Sequence, residues 1–253
     1  MELENNNASP EDEGTIWFSD SGAEEKVIDY LEDLADEGIL FKLSEANGEG
    51  KNEWVQPTSF LDLGTGNGHL LFALRAAEWR GQMLGVDYSA ASIKLARQIE
   101  WRRVQERPDS EAVESSTPIS FEEHDILSRT LPSQMLRGGF DVVLDKGTFD
   151  AISLSSERDV AGRRVCETYC SSVERLVRDG GLFIITSCNW TETELLAWFG
   201  SRDASEVGAF KLKDRIKYPK FTFGGQTGQS VVTLCFEKKH RSGPRSEGLN
   251  MQS

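Results

Sequence analysis

The sequence is poor in the residue types that build disulfide frameworks and metal sites. It has only four cysteines and three histidines in 253 residues, and the cysteines are too few and too irregularly spaced for a disulfide framework. Cys166 and Cys170 lie one helical turn apart, but no second pair of ligands accompanies them. We therefore expect neither structural disulfides nor a bound metal.

Long apolar runs and positive charge are also scarce. No run approaches the roughly 20 apolar residues that span a bilayer, and the acidic start is the opposite of a cationic targeting peptide. We therefore expect a cytoplasmic protein without membrane contact. The sequence leaves open whether part of the protein also enters the nucleus. With 28 basic and 42 acidic residues, the net charge is −14. This charge repels phosphate backbones and favours a basic partner over nucleic acid, although solubility alone explains the acidity equally well.

Apolar residues are concentrated in the middle of the chain. Residues 1–14 and 240–253 are polar, and we expect both to be disordered. Residues 15–239 then form one domain, which we expect to be monomeric because no exposed apolar stripe stands out. Within it, residues 24–43 have the apolar spacing of a lead-in helix, with Ser21 as its cap.

Short apolar segments alternate with helical ones along this domain. Strands are predicted at 59–63, 83–87, 119–124, 140–144, 182–186, within 210–223 and at 230–236, and helices at 70–78, 89–106, 160–177 and 193–199. Such alternation indicates a parallel sheet covered on both faces. Residues 224–229, GGQTGQ, join the last two strands and are long enough only for a hairpin. The predicted fold is α/β: a doubly wound, mostly parallel seven-stranded sheet with an antiparallel terminal hairpin, the Rossmann-like layout of class I methyltransferases.

The first strand of this sheet runs into a glycine-rich turn, FLDLGTGNG at residues 60–68. Glycines let the backbone approach a ligand closely, and the helix that follows offers free N–H groups. A G-x-G-x-G turn with an acid two residues before its first glycine resembles the methyltransferase form, which implies that Asp62 lies near the cationic amino end of S-adenosylmethionine. A cap on the turn's own N–H groups is a compatible alternative. A nicotinamide-dependent oxidoreductase would require G-x-G-x-x-G, whereas Gly64, Gly66 and Gly68 are evenly spaced.

Two further acids follow the next two strands. Asp87 ends the second strand, where a carboxylate can accept hydrogen bonds from both ribose hydroxyls. Asp125 follows the third strand and suits the adenine amino group, with Ile126 packed against the ring. We therefore predict that S-adenosylmethionine is bound by Asp62, Gly64, Thr65, Gly66, Asn67, Gly68, Asp87, Tyr88, Asp125, Ile126, Asp145 and Trp17.

Several stretches beyond the glycine turn resemble one family. They are GTIWF at 14–18, DKGTFDAISL at 145–154, ITSCNWT at 185–191 and PKFTFGG at 219–225. The chain closely resembles the lysine methyltransferases of translation elongation factor 1-alpha, called methyltransferase-like protein ten in animals and EFM-four in fungi. The resemblance implies a class I fold, S-adenosylmethionine as cofactor and a protein lysine as methyl acceptor.

On the acceptor side, the fourth strand ends at the edge of the sheet where the methyl group would be transferred. We expect Asp145 and Asp150 to act as catalytic residues that accept the N–H groups of the incoming lysine, although Asp145 could instead pair with Lys146 or cap the next turn. The predicted substrate-binding residues are Phe149, Asn189, Trp190 and Phe223, and Trp17 would help to wall the lysine stem. The aromatics could also be core residues, and Asn189 could cap the helix that follows. No general base is identifiable.

Other functions are compatible with parts of this pattern. One is a methyltransferase for another protein, a small amine or an RNA nitrogen, although the acidity and the missing Asn/Asp-Pro-Pro-aromatic motif count against RNA. Another is a catalytically silent cofactor-binding module that scaffolds a translation factor. An eroded glycine turn or a missing ribose acid would favour that module, and both features are intact.

Overall fold

A computed structural model describes residues 17–46, 54–105, 117–128, 138–159, 161–200, 210–219, 221–223, 226–228 and 230–239. The predicted disordered segments, 1–14 and 240–253, lie outside these residues, as does most of the loop at 106–117. The limits of the domain therefore stay a prediction.

A seven-stranded mixed sheet is the centre of the fold. The strands of the described residues are β1 Glu45–Ala46, β2 Trp54–Val55, β3 Phe60–Leu63, β4 Met83–Asp87, β5 Ser120–Glu123, β6 Phe140–Lys146, β7 Val177–Ser187, β8 Phe210–Ile216, β9 Phe221–Phe223, β10 Gln226–Gly228 and β11 Val232–Lys238. The order in the central sheet is β5-β4-β3-β6-β7-β11-β8. The first five of these strands pair in parallel, and β11 pairs antiparallel with both β7 and β8. This confirms the predicted fold class.

Helices cover both faces of the sheet. They are α1 Ala23–Asp36, α2 His69–Ala76, α3 Ala90–Gln105, α4 Thr148–Leu154, α5 Cys166–Leu176 and α6 Glu192–Phe199, preceded by a 3-10 turn at Ser19–Ser21. Buried apolar residues of α1, α2 and α3 pack on one face, and those of α4, α5 and α6 pack on the other. Two-sided burial explains why the central strands β3 and β4 are buried along their whole length. No helix of the described residues is long and apolar enough to cross a membrane.

Three local predictions about helices were wrong. The lead-in helix predicted at 24–43 ends at Asp36. Ser21 does not cap α1: the N-cap is Gly22, and the Ser21 hydroxyl instead donates to the carbonyl of Phe18 at 2.8 Å. The helix predicted at 160–177 begins only at Cys166. A tight turn precedes it, in which Asp159 Oδ1 accepts the backbone N–H groups of Ala161 and Arg163. Side-chain capture of backbone N–H groups competes with helix formation, which explains the shorter helix.

The last two strands of the sheet, β8 and β11, pair antiparallel as predicted, but the connection between them is longer than predicted. β8 ends at Ile216 and β11 begins at Val232, so residues 217–231 join them. Within that connection β9 and β10 form a separate two-stranded antiparallel sheet. The GGQTGQ stretch therefore does not link β8 directly to β11.

Candidate functional site

A cavity of about 970 Å³ opens at the carboxyl ends of β3, β4, β5 and β6. Loops at the carboxyl edge of a parallel sheet are the usual ligand site of such folds. The cavity of this chain is lined by Trp17, Gly64, Thr65, Gly66, Asn67, Val86, Asp87, Tyr88, Ser89, Ser92, Leu95, His124, Asp125, Ile126, Leu127, Lys146, Gly147, Thr148, Ala151, Ile152, Ser155, Glu157 and Val165. The structure therefore brings most of the predicted cofactor residues to one cavity.

The glycine turn forms the floor at the end of β3. Gly64, Gly66 and Gly68 all have positive φ, at 66°, 57° and 83°. A Cβ on Gly66 would meet no atom within 4 Å, so at this position the turn leaves open space in the cavity. Beside it, Thr65 lines the cavity, and a hydrogen bond from its side chain partly offsets the effect of burial on the pKa of Asp62.

Asp87 connects the end of β4 to this turn. Its Oδ2 accepts the backbone N–H of Gly66 at 3.0 Å, and its Oδ1 accepts the N–H of Ser89 at 2.9 Å. The residue is 8% exposed and lines the cavity. Each carboxylate oxygen can still accept a further hydrogen bond. Tyr88 follows it and is 81% exposed at the cavity rim.

The segment after β5 forms the opposite wall. Asp125 is exposed and accepts the N–H of Leu127 at 2.9 Å, while Ile126 is buried. His124 also lines the cavity, and its Nε2 is buried without a partner among the described residues. Burial lowers the pKa of His124, which favours a neutral ring that can donate or accept one hydrogen bond. Sequence reasoning did not assign His124 to the site, although it directly precedes Asp125.

Asp62 and Asp145 lie behind the cavity wall, only 3% and 1% exposed. Burial raises the pKa of each carboxyl to about 7. Asp145 accepts the N–H of Thr148 at 2.8 Å, the N–H of Phe149 at 3.1 Å and the hydroxyl of Tyr169 at 2.6 Å. It therefore caps the turn into α4, one of the two alternatives to a catalytic role. Its side chain fixes Thr148, which does line the cavity.

Asp150 is likewise buried, at 1% exposure. Its carboxylate accepts the Ser187 hydroxyl at 2.5 Å and the Cys188 N–H at 2.8 Å. These contacts fix the loop after β7 to α4. In this arrangement Asp150 does not reach the cavity, so the predicted direct contact with a substrate amine is not available to it.

Most of the aromatic side chains that were predicted to surround the substrate lysine belong to the hydrophobic core or pack against it. Phe149 is 0% exposed and stacks on Tyr169 at 5.4 Å and on Trp190 at 5.5 Å between ring centroids. It therefore cannot line a substrate channel in this structure, and that assignment is corrected. Trp190 is half-buried, and its Nε1 donates to Ser153 Oγ at 3.2 Å. Of the predicted aromatics, Trp17 lies at the cavity and is 53% exposed.

The predicted substrate-binding residues Asn189 and Phe223 are not among the described residues that line the cavity. Asn189 is exposed and does not cap α6, because Thr191 is the N-cap, in a capping box with Glu194. Phe223 ends β9, and its side chain lies outside the described part of the structure. Among the described residues, no group of three or more His, Cys, Asp or Glu side chains could hold a metal ion.

Comparison with known proteins defines the class. A family described as a methyltransferase domain matches residues 56–227. The fold resembles that of the N-methyltransferase NodS of Bradyrhizobium japonicum, which was solved with S-adenosyl-L-homocysteine. The TM-score is 0.52 and the identity is 14%, over 88% of this chain and 91% of NodS. The chain is a class I methyltransferase.

Closer relatives define the family. The chain is 39% identical to the protein-lysine N-methyltransferase EFM4 of Saccharomyces cerevisiae, over 95% of this chain and 90% of the relative. It is 32% identical to human EEF1A lysine methyltransferase 2, over 90% and 77%. The chain belongs to this family of protein-lysine methyltransferases, which confirms the resemblance seen in the sequence.

Proposed function

We propose that this chain transfers methyl groups from S-adenosylmethionine to a lysine of translation elongation factor 1-alpha. The observation that carries the proposal is the match to EFM4, which spans 95% of the chain. The alternatives are another protein or a small amine as acceptor, or a non-catalytic scaffold. We propose in addition that the methyltransferase domain spans residues 15–239 and that the protein is a monomer in the cytoplasm.

The cavity fits such a cofactor on chemical grounds. His124 Nε2 is a buried polar atom without a partner among the described residues, and the space above Gly66 admits close approach of a ligand to the backbone. In our proposal Asp87 accepts the ribose hydroxyls and Asp125 the adenine amino group, while Ile126 and Tyr88 hold the ring between them. Trp17 would cover the remaining open side.

When bound, the cofactor supplies a methyl group on a positively charged sulfur, which is already reactive toward an amine. The chain's own residues then have to align the acceptor and exclude water. We propose that Asp145 acts as a positioning residue: its contacts with Thr148 and Tyr169 fix the turn that borders the cavity. Glu157 at the rim supplies negative charge that attracts a lysine ammonium.

The test is incubation of the purified chain with S-adenosylmethionine and elongation factor 1-alpha, followed by intact-mass and peptide mass spectrometry. We expect a gain in multiples of one methyl group on a single lysine. Asp87→Ala should strongly reduce the gain at a limiting cofactor concentration, whereas Asp33→Ala, a change of an exposed acid on α1, should leave it unchanged. Cofactor binding without modification of the factor would contradict the proposed substrate and leave another acceptor or the scaffold.

A further inference from the structure

A row of charged side chains connects the N-terminal segment, residues 17–22, to the wall of the cavity. Lys146, the last residue of β6, lines the cavity and donates from Nζ to the backbone carbonyl of Trp17 at 3.2 Å. The same ammonium lies 3.8 Å from Glu24 Oε2. On its other oxygen, Glu24 meets His69 Nδ1 at 2.5 Å. We call this set, from Trp17 to His69, the Lys146–Glu24 bridge.

The ion pair of the bridge is largely shielded from water, whereas the hydrogen bond from Lys146 to Trp17 lies at the surface. The side chain of Glu24 is 8% exposed and that of Lys146 is 17% exposed. Ion pairs shielded from water in this way are less screened than surface pairs, and breaking one leaves a charge without its partner. The bridge also ties together parts far apart in sequence: α1, the end of β6, and the first residue of α2 after the glycine turn.

Close packing supports the same arrangement. Gly147 has φ 88°, and a Cβ there would lie 2.9 Å from both Trp17 Cε3 and Phe18 Cε2. Phe18 itself has φ 66°, a conformation that a bulky residue adopts only when its surroundings impose it. Both aromatic rings therefore rest on the turn that follows Lys146.

We propose that Lys146 and Glu24 are positioning residues that hold residues 17–22 against the cavity, so that Trp17 closes over the bound cofactor. The inference rests on the proposed function, because it takes the cavity as the cofactor site. Lys146 acts through the Trp17 carbonyl rather than on the reacting atoms. Without the bridge the segment would lose its hydrogen bond to the end of β6, and the closed state would be less populated.

The experiment measures the affinity of S-adenosyl-L-homocysteine by calorimetry in a double-mutant cycle. Lys146→Met removes the ammonium at nearly constant length, and we expect it to weaken binding about tenfold, the scale of one hydrogen bond to a charged group. Glu24→Gln should weaken binding in the same direction. In a Trp17→Ala background Lys146→Met should add little, because the closing ring is already gone. Lys42→Met is the matched control and should bind normally. It breaks an ion pair with Glu32, which lies on α1 as Glu24 does.

Each outcome decides the matter. Unchanged affinity in Lys146→Met overturns the proposal, and so does a loss that adds fully to that of Trp17→Ala, since Lys146 would then act independently of the segment. If Lys146→Met fails to fold, Glu24→Gln takes its place in the same cycle with Trp17→Ala, and unchanged affinity of Glu24→Gln then overturns the proposal. If the unmodified chain does not bind S-adenosyl-L-homocysteine at all, the proposed cofactor site itself fails, which is a different result.

Discussion

Asp87 and Gly66 are joined by a hydrogen bond of 3.0 Å, in which the backbone N–H of the glycine donates to the carboxylate. One acid thus shapes the turn that forms the floor of the cavity and also faces the cavity. Its removal should therefore disturb the cofactor site twice.

We expect Asp87→Ala to weaken S-adenosyl-L-homocysteine binding by roughly 10- to 100-fold, because each hydrogen bond to a charged group contributes about 1.5–3 kcal/mol. Calorimetry on the variant and on Asp33→Ala checks this. Affinity within about twofold of the unmodified chain would remove Asp87 from the cofactor site.

Gly66 offers a test of close approach to the ligand. Gly66 and Gly162 share a positive φ, 57° and 78°, and a Cβ placed on either glycine would meet no atom within 4 Å. Alanine at either site should cost about 1–2 kcal/mol of folding free energy for the left-handed backbone. Only Gly66→Ala should also weaken cofactor binding, since Gly66 lines the cavity and Gly162 does not. Equal affinities of the two variants in calorimetry would contradict this.

Phe149 should behave as a core residue. Phe149→Ala removes a ring that is 0% exposed, so we expect a loss of about 3–5 kcal/mol in the free energy of unfolding. Leu154→Ala, on the same helix but 77% exposed, should change stability by less than about 0.5 kcal/mol. Urea denaturation measures both. A stable Phe149→Ala variant with a raised KM for the protein substrate would restore the substrate-wall role.

The buried carboxyls of Asp62 and Asp145 predict how stability depends on pH. Burial raises the pKa of each to about 7, from an ordinary value of 3.8. Between those values the folded chain keeps protons that the unfolded chain releases, so the stabilisation from these groups is full below the lower value and is lost as pH rises through the higher one. Denaturation of the unmodified chain should therefore show a contribution that falls between about pH 4 and pH 7.

Replacing one acid isolates that contribution. Asp62→Asn cannot release the proton, so its free energy of unfolding should fall less over this pH range than that of the unmodified chain. Asp33→Asn, an exposed acid on α1, serves as the reference. Identical slopes for Asp62→Asn and the unmodified chain would show that Asp62 titrates normally.

Much of the site follows from strand order, which the sequence carries. Parallel strands end at one edge of a sheet, so acids after successive strands must approach one another. Asp87 and Asp125 were found on that reasoning, and both line the cavity. The family stretches added the expected acceptor, and the comparisons confirmed the family.

The sequence by itself determined the alternation of strands and helices, the glycine turn and the order of the acids, because each is a local pattern with a fixed period or position. Tertiary structure alone decided which side of α4 is buried, and hence that Phe149 belongs to the core and that Asp150 holds the loop after β7. It also decided the contact between Lys146 and Trp17, 129 residues apart. Local periodicity carries no information about such pairs, since their meeting depends on how the N-terminal segment folds back across the edge of the sheet.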